Sequence, residues 1–157
     1  MTAKDVIQTL QLAPHPEGGW YREIYRSTDR VQRGDETRSA TTAIYYLLEH
    51  QQLSRWHVVD ADEIWHFYGG APLELLAYDP GSRALKRQTL HVTGADARPI
   101  GVVPAGVWQA ARSLGEYSLV GCTVSPGFEF SGFQFTADLP DHRAHFAGEL
   151  SQYASLL

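Results

Sequence analysis

The sequence has a single cysteine and no long apolar run, and each shortage excludes a class of protein. A disulfide within the chain would need two cysteines, so the lone Cys122 excludes one and agrees with a reducing compartment. A membrane-spanning helix would need roughly 20 consecutive apolar residues, and no stretch supplies them. The N-terminus also lacks the basic and then apolar pattern of a signal peptide. We therefore predict a cytoplasmic protein with no membrane partner.

Basic residues are also scarce. The chain has 13 Lys and Arg, scattered along its length, against 18 Asp and Glu, which gives a formal net charge of −5. Because a nucleic-acid-binding face needs a basic patch or stripe, this balance predicts no nucleic-acid partner. A length of 157 residues, with 43% hydrophobic and 20% charged residues, predicts a single globular domain that spans residues 1–157.

Helical patterns are confined to the two ends of the chain. Near the N-terminus, Thr2 can cap a short helix that has Asp5 at its third position. In the tail, Pro140 is suited to a helix start, and apolar residues recur at helical spacing from Phe146 to Leu157. We therefore expect a short N-terminal helix and a helical C-terminal tail on the outside of the domain.

Strand-like runs fill the region between these ends, and turn-forming residues separate them. The runs are Trp20–Ser27, Thr41–Glu49, Ser54–Val59, Glu63–Tyr68, Leu73–Tyr78, Leu85–Val92, Pro99–Pro104, Val107–Ser113, Tyr117–Val124 and Glu129–Phe135. The charge-rich segment Asp29–Arg38 has no apolar period and is interpreted as a solvated, mobile loop. Strands without intervening helices predict an all-β fold, an antiparallel jelly-roll barrel around a cavity that takes a small molecule.

The stretch from Ser54 to Gly70 combines strand chemistry with side chains that can bind metal. Trp56–Val59 and Glu63–Tyr68 are predicted as two strands, and the polar residues between them form a turn. The stretch is therefore interpreted as a hairpin.

Alternation along the second strand of this hairpin sorts its side chains between two faces. Glu63, Trp65 and Phe67 share one face, while His66 takes the other and points away from the cavity. The short connection brings His57 near Glu63. An imidazole and a carboxylate placed in this way can bind a divalent metal or shuttle a proton.

The spacing of this hairpin resembles the first signature of the cupin superfamily, which runs His-x-His, three or four residues, Glu, six residues, Gly. His57, Glu63 and Gly70 occupy the first His, the Glu and the Gly places, while Val59 stands where the second His would be. A second cupin signature, Pro-x-Gly-x-x-His, resembles the stretch that ends at Gln109, which replaces the His.

Longer strings extend this resemblance, at residues 12–21, 65–70, 103–110 and 121–128. Together they are similar to a family of small single-domain cupins, the Cupin_5 type, over about residues 10–135. The resemblance implies a jelly-roll barrel that commonly assembles as a dimer through sheet contacts involving the N-terminal strand. The aromatic strand Trp20–Tyr25 also predicts a homodimer, because its unpaired edge would be exposed in a monomer.

The motif places also predict the residues of a functional site. We expect His57 to accept a proton, with Glu63 setting its tautomer and basicity. Trp65 and Phe67 are expected to line the pocket, either as plain core or as a stacking wall for a flat or sugar ring, and Gln109 to face the ligand. His57, Glu63 and Gln109 also form a candidate metal set. Since an amide is a poorer ligand than imidazole, we expect no cofactor or a weakly bound divalent metal ion.

Other side chains that could do chemistry receive structural interpretations. His15 is predicted to be exposed in a bend of prolines and glycines, although a helper role at the mouth of the site stays open. His142 and His145 are predicted to lie at the surface. Cys122 follows an apolar run, which favours a buried strand thiol over a nucleophile.

Two classes of function remain open. The first is an enzyme that acts on a small polar metabolite, such as a sugar derivative, by proton transfer; the nucleotide-sugar epimerases of the cupin fold are similar, since their base is a His at the place of His57. This chain departs from them because no tyrosine follows the second motif in the expected place. The second class is a non-catalytic binder whose degraded metal site only encloses a ligand. An oxygenase would need a firmly held redox metal, which the missing imidazoles disfavour.

Overall fold

Fourteen strands dominate the fold in the computed structural model, which describes residues Met1–Leu157. They are β1 (Ala13–Pro14), β2 (Trp20–Arg26), β3 (Arg30–Arg33), β4 (Glu36–Ser39), β5 (Thr42–Glu49), β6 (Leu53–Val59), β7 (Asp62–Gly70), β8 (Leu73–Asp79), β9 (Ala84–Leu90), β10 (Ala97–Arg98), β11 (Ile100–Val103), β12 (Trp108–Ser113), β13 (Tyr117–Ser125) and β14 (Phe133–Phe135). Two α-helices, α1 (Ala3–Leu10) and α2 (His142–Ala147), stand near the ends of the chain. Short 3-10 helices cover Phe130–Gly132, Thr136–Asp138 and Ser151–Leu156.

Twelve of the strands form two six-stranded sheets, with the orders β1-β2-β5-β13-β7-β11 and β10-β9-β8-β12-β6-β14. The pairs are antiparallel, apart from the short parallel pair of β9 and β10. Each sheet contributes apolar side chains to one shared core, including Tyr46, Trp65 and Val120 from the first and Leu75 and Ala111 from the second. The predicted jelly roll is confirmed. The two sheets face each other but do not close into a continuous hydrogen-bonded barrel.

Helix α1 begins as the sequence predicts. The Thr2 side chain accepts a hydrogen bond from the Asp5 backbone, and the Asp5 carboxylate accepts one from the Thr2 backbone at 2.8 Å. This reciprocal pair satisfies two amide groups that the first turn of a helix otherwise leaves free. The helix then buries Ala3 and Val6 against Leu47 on the outer face of the first sheet.

The C-terminal tail covers the outer face of the second sheet. Phe146 and Leu150 pack against Trp108 and other apolar side chains that the strands turn outward. The prediction that His145 lies at the surface is wrong: the side chain is buried, and its Nδ1 lies 2.7 Å from the hydroxyl of Tyr78. His145 lies on the side of α2 that faces the second sheet, so its imidazole fills the space between the helix and the sheet.

The prediction of a mobile loop at Asp29–Arg38 is also wrong, because this segment forms a hairpin of β3 and β4. Its stability depends on a contact that the charge pattern does not show. The guanidinium of Arg38 is 2% exposed and donates two hydrogen bonds of 2.8 Å to the carboxylate of Asp60. Asp60 lies in the turn between β6 and β7, so the ion pair ties the hairpin of β3 and β4 to this turn. The prediction that Ser54–Gly70 forms a hairpin is wrong, because β6 pairs with β12 and β14 in the second sheet while β7 pairs with β11 and β13 in the first.

Two smaller features complete the description. The predicted strand Glu129–Phe135 is shorter than expected, since Phe130–Gly132 forms a 3-10 helix before the three residues of β14. None of the helices has the length and the apolar composition that a crossing of a membrane requires.

The pair of Arg38 and Asp60 generates a prediction. We expect Asp60→Asn to lower the free energy of unfolding by about 1–3 kcal/mol, because it leaves a buried guanidinium without its bidentate charged partner. Asp35→Asn, on the exposed turn of the same hairpin, is the matched control. Urea denaturation of the two variants measures the difference, and equal losses would show that the Asp60 carboxylate, which is 39% exposed, contributes no more than a surface charge.

Candidate functional site

A cavity of about 290 Å³ lies at one end of the space between the sheets. Its walls come from β2, β5, β7 and β13 of the first sheet, from β6 of the second, and from the segments at residues 15–17 and 128–130. The interior of the lining contains six titratable side chains: His15, Glu17, Tyr46, His57, Glu63 and Cys122. The cavity therefore brings several buried titratable side chains together in one place.

Strand β7 positions Glu63 as the alternation predicts. Glu63, Trp65 and Phe67 are buried on the inner face, whereas Tyr68 is exposed on the outer face. His66 also points outward, where its Nε2 lies 3.2 Å from the hydroxyl of Thr123. The prediction that His66 points away from the cavity is therefore confirmed.

His57 lies on β6 with both ring nitrogens engaged. Its Nδ1 is 2.7 Å from the carbonyl oxygen of Arg55, and a carbonyl can only accept, so Nδ1 carries a hydrogen. Its Nε2 lies 3.3 Å from Oε2 of Glu17. The ring also stacks on Phe133, with the ring centres 5.1 Å apart. The imidazole is thus fixed in one orientation, with Nε2 turned toward the cavity.

Glu63 was predicted to set the tautomer and basicity of His57, but other groups contact the imidazole. Glu63 lines the same cavity as His57, but the carboxylate in contact with the imidazole is that of Glu17. The tautomer is set by the carbonyl of Arg55, a backbone group two residues away on the same strand. The spacing of His57 and Glu63 along the sequence cannot reveal either partner, because one is a backbone atom and the other comes from a distant loop.

Glu17 is the main site residue that the sequence pattern missed. Ser54 donates a 2.8 Å hydrogen bond to its Oε1, and the side chain is 9% exposed. The turn that carries it is held close to β6, because Gly18 has a φ of +110° and a Cβ there would overlap the carbonyl oxygen of Leu53. The prolines and glycines around Glu17 were the available signal, since they indicate a rigid turn that can hold a carboxylate in place.

His15 stands at the other end of this turn and is not exposed as predicted. Its side chain is 6% exposed and its Nδ1 accepts a hydrogen bond from the Glu17 backbone at 3.1 Å. The ring meets Tyr21 edge-on at 4.5 Å. Burial lowers the pKa of His15, which favours the neutral imidazole. The geometry therefore favours the alternative that the sequence left open, in which His15 has a helper role at the site.

Glu63 is held by a short chain of hydrogen bonds. Trp65 donates from Nε1 to Oε1 of Gln109 at 3.0 Å, and Gln109 donates from Nε2 to Oε2 of Glu63 at 2.7 Å. Because an indole N–H can only donate, it fixes the orientation of the amide. Burial raises the pKa of Glu63 to about 7, against weaker opposing effects of His57 and Gln109. Glu63 therefore exists in both protonation states near neutral pH.

Of the two interpretations of Trp65 and Phe67, the structure supports plain core, and the expectation that Gln109 faces the ligand is not met. Trp65, Phe67 and Gln109 lie in the core behind the cavity and do not line it. Phe67 packs instead against His91, with the ring centres 4.9 Å apart. All three side chains point into the space between the two sheets, but the cavity occupies only one end of that space. Its aromatic lining comes from Tyr21, Tyr46, Phe128 and Phe130.

The predicted metal set of His57, Glu63 and Gln109 does not fit a metal ion. The Gln109 amide oxygen accepts from Trp65, and its nitrogen, which cannot ligate a metal, faces Glu63. The Nε2 of His57 faces Glu17. No group of three His, Cys, Asp or Glu side chains is arranged to hold a metal ion. Weak binding of a divalent ion stays a prediction that this geometry does not favour.

Cys122 lies on β13 and is buried, in agreement with its interpretation as a strand thiol. Burial raises the pKa of the thiol well above its ordinary value, and the carboxylates of Glu63 and Glu17 raise it further. The thiolate is the nucleophilic form of cysteine, so this environment disfavours covalent catalysis by Cys122. The hydroxyl of Tyr46 nearby donates to the carbonyl of Gly18 at 2.6 Å, and burial raises its pKa as well.

Comparisons with known proteins agree with this description. The sequence profile described as Cupin_5, Cupin superfamily (DUF985), matches residues 4–136. A hypothetical protein from Leishmania major is 30% identical with a TM-score of 0.82, and the match covers 99% of this chain and 97% of that one. A protein from Shewanella oneidensis of known crystal structure is 35% identical with a TM-score of 0.81, and 94% of each chain is covered.

More distant structures share the fold alone. Oxalate decarboxylase from Bacillus subtilis is 13% identical with a TM-score of 0.59, and the match covers 92% of this chain and 36% of that one. No curated protein sequence matches the chain. The comparisons therefore define the family and the fold, and they assign no activity.

The first prediction from this site concerns the turn that carries Glu17. We expect Gly18→Ala to destabilise the protein by roughly 2–4 kcal/mol, because the methyl group is forced against the Leu53 carbonyl in a left-handed backbone conformation. Gly34→Ala is the matched control: its φ is +59°, but nothing lies within 4 Å of the added Cβ. That control should cost about 1 kcal/mol. Urea denaturation compares the two, and similar losses would show that the turn has room to relax.

The second prediction concerns Glu63 and pH. Its pKa is about 7 in the folded protein against an ordinary value of 4.5, so the folded state binds the proton more tightly and stability falls as pH rises through this range. Glu63→Gln cannot titrate. Its stability relative to the wild type should therefore increase by roughly 2–3 kcal/mol between about pH 5 and pH 8.

Urea denaturation at the two pH values measures this difference. Glu116→Gln, an exposed carboxylate outside the cavity, reports the general effect of removing one negative charge. If the two variants showed the same dependence on pH, the protonation of Glu63 in the folded state would be disproved.

Proposed function

We propose, for a chain that belongs to the Cupin_5 family (DUF985) of the cupin superfamily, that the cavity binds a small polyhydroxylated ring compound and transfers protons to and from it. One observation carries the proposal: a buried imidazole and two buried carboxylates line a single cavity. Buried ionisable side chains are costly unless they are paired, and they concentrate at functional sites.

The size and lining of the cavity support a sugar-like ligand. A volume of about 290 Å³ is at the small end of the range of about 300–1,000 Å³ for ligand pockets, so it suits a single ring. Hydroxyl groups of such a ring can donate to the carboxylates of Glu17 and Glu63. Phe128 and Phe130 offer apolar surface for the ring itself.

His57 and Glu63 have complementary properties for proton transfer. The carbonyl of Arg55 holds the Nδ1 hydrogen of His57, so Nε2 is the atom that accepts a proton from a C–H or O–H group of the ligand. Glu63, with a pKa near neutrality, can return a proton to a different position. One proton leaves the ligand and one comes back, so the net reaction is an isomerisation or epimerisation. Glu17 serves as counterion while the imidazole is protonated.

The distant structural relatives are consistent with an enzyme without naming its reaction. The fold of this chain is shared by an oxalate decarboxylase, and at 13% identity the likeness concerns the fold. It supports the use of this architecture for small-molecule chemistry, and the reaction itself must be inferred from the cavity.

A non-catalytic binder is the second candidate, and one contact favours it. The Nε2 of His57 already faces the carboxylate of Glu17 at 3.3 Å, so the atom that would take a proton from the ligand already has a contact within the protein. In that case the same residues enclose a ligand but do not change it. The two candidates predict the same pocket and differ only in chemistry.

Deuterium exchange separates these candidates. In D2O, the wild-type protein should exchange a carbon-bound hydrogen of a bound sugar, which proton NMR detects across a panel of aldoses, ketoses, uronates and amino sugars. His57→Gln should reduce the exchange by a factor of about 100 or more, since it removes the general base. His66→Gln, on the outer face of β7, is the control and should exchange like the wild type. Binding without exchange would reject the enzyme and leave the binder.

We also propose that the protein is a homodimer. Strand β1 pairs only with Trp20 and Tyr21, so the remaining edge of β2 is open. Ile24 and Tyr25 on this strand are 45% and 55% exposed. Pairing with a second copy would cover this edge. Light scattering should give twice the 17.5 kDa mass of the chain, and a monomer at micromolar concentration would refute the assembly.

A further inference from the structure

We infer that the ligand of this cavity carries a positive charge, as a protonated amine on a small ring that the carboxylates of Glu17 and Glu63 hold. The inference rests on the proposed function, because it names the class of compound that the same cavity takes. It selects an amino sugar or a cyclic amine over a neutral sugar and over a sugar acid.

The interior of the cavity has acidic groups without matching basic ones. Glu17 and Glu63 are both buried, with 7% exposure of each residue. The interior groups that can carry a positive charge are the imidazoles of His15 and His57. Burial lowers the pKa of His15, so this ring is neutral near pH 7 and does not balance a carboxylate.

The two arginines that line the cavity are already engaged. Arg26 contacts the carboxylates of Glu23 at 2.8 Å and Glu129 at 3.0 Å. Arg22 donates to the carbonyl of Leu10 at 3.2 Å. Arg26 is thus paired with two carboxylates, whereas Arg22 contacts only a neutral carbonyl and keeps its charge on the exposed strand β2. Because Arg22 is exposed while Glu17 and Glu63 are buried, the interior of the cavity itself stays acidic.

Glu63 has an oxygen that the protein leaves without a strong donor. Its Oε2 accepts from Gln109, but its Oε1 accepts no hydrogen bond from an N–H or O–H group of the chain. The thiol of Cys122 also contacts this carboxyl group, but a thiol is a weak donor. Since Glu63 lines the cavity, a ligand can supply the missing donor.

An ammonium group fits this need better than a hydroxyl. It offers three hydrogens and a full positive charge, so it can donate to Glu17 and Glu63 at once. In binding to Glu17 it also enters the contact between the Glu17 carboxylate and Nε2 of His57, which lie 3.3 Å apart.

Binding of a cation should also be coupled to the release of a proton. The groups that face Glu63 come from three neighbouring elements: Glu17 in the turn, His57 on β6 and Cys122 on β13. Glu17 disfavours the ionised form of Glu63, and a positive ligand counteracts that repulsion. Near pH 7, therefore, an amine should bind with loss of up to one proton.

Isothermal titration calorimetry with two matched series of probes tests the inference. The first series is glucosamine, glucose and glucuronate, and the second is cyclohexylamine, cyclohexanol and cyclohexanecarboxylate. In each series the ring stays the same while the charge changes from positive to neutral to negative. EDTA in the buffer keeps divalent cations away from the carboxylates. We expect the amine of at least one series to bind at least about tenfold more tightly than its neutral partner.

Two further measurements test whether the carboxylates cause the tighter binding of the amine: the affinities of variants and the number of protons released on binding. Glu17→Gln and Glu63→Gln should each reduce the ratio of amine to neutral affinity about fivefold or more, while Glu116→Gln should leave it unchanged. Titration in two buffers of different ionisation enthalpy counts the protons released by the wild type, and Glu63→Gln should abolish the release. If Glu17→Gln does not fold, Glu63→Gln and the proton count decide.

The outcomes separate this inference from the proposed function. Equal affinities within both series, tighter binding of the acids, or no binding of either amine would overturn the inference. The inference would also be overturned if a neutral sugar bound as tightly as the amino sugar of its series and exchanged deuterium as fast. That result would leave the proposed function intact. An amine preference without deuterium exchange would support the inference for a binder and reject the enzyme.

Discussion

The constraint on which the site depends is the cost of removing charged groups from water. Placing an imidazole and two carboxylates between two apolar sheets is unfavourable unless each is paired or hydrogen-bonded. The chain meets this requirement unequally. Glu17 accepts a hydrogen bond from the Ser54 hydroxyl and contacts the imidazole of His57. Glu63 accepts a hydrogen bond from the Gln109 amide and has only the thiol of Cys122, a weak donor, besides. The tight turn at Gly18 holds Glu17 close to these two partners.

This inequality gives two chemically similar residues different properties. Glu63 has one good donor and lies near another carboxylate, so burial dominates and raises its pKa to about 7. Two carboxyl groups with different environments in one cavity can take different roles, one held by fixed partners and one as a group that gains and loses a proton. The division between Glu17 and Glu63 follows from their partners, and residue type alone would not distinguish them.

Local pattern predicted the fold well and the site only in part. The alternation along β7 correctly sorted Glu63 and His66, because the period of a strand is set by backbone geometry. Contacts between distant segments were missed for the opposite reason. The Arg38 ion pair with Asp60, the contact of Glu17 with His57 and the burial of His145 all depend on which loops or helices meet in space. Trp65 was placed on the correct face but at the wrong depth, which alternation does not encode.

The departures from the cupin motif are linked to one another. Val59 cannot ligate a metal, and the Gln109 amide is fixed between the N–H of Trp65 and the carboxylate of Glu63. A histidine at position 109 would therefore have to replace an acceptor for Trp65 as well as a donor to Glu63, two roles that a neutral imidazole can fill only with different geometry. Glu17 would still compete for Nε2 of His57. Restoring one imidazole is thus not enough to restore a metal site, because the neighbouring side chains are organised around hydrogen bonds to carboxylates.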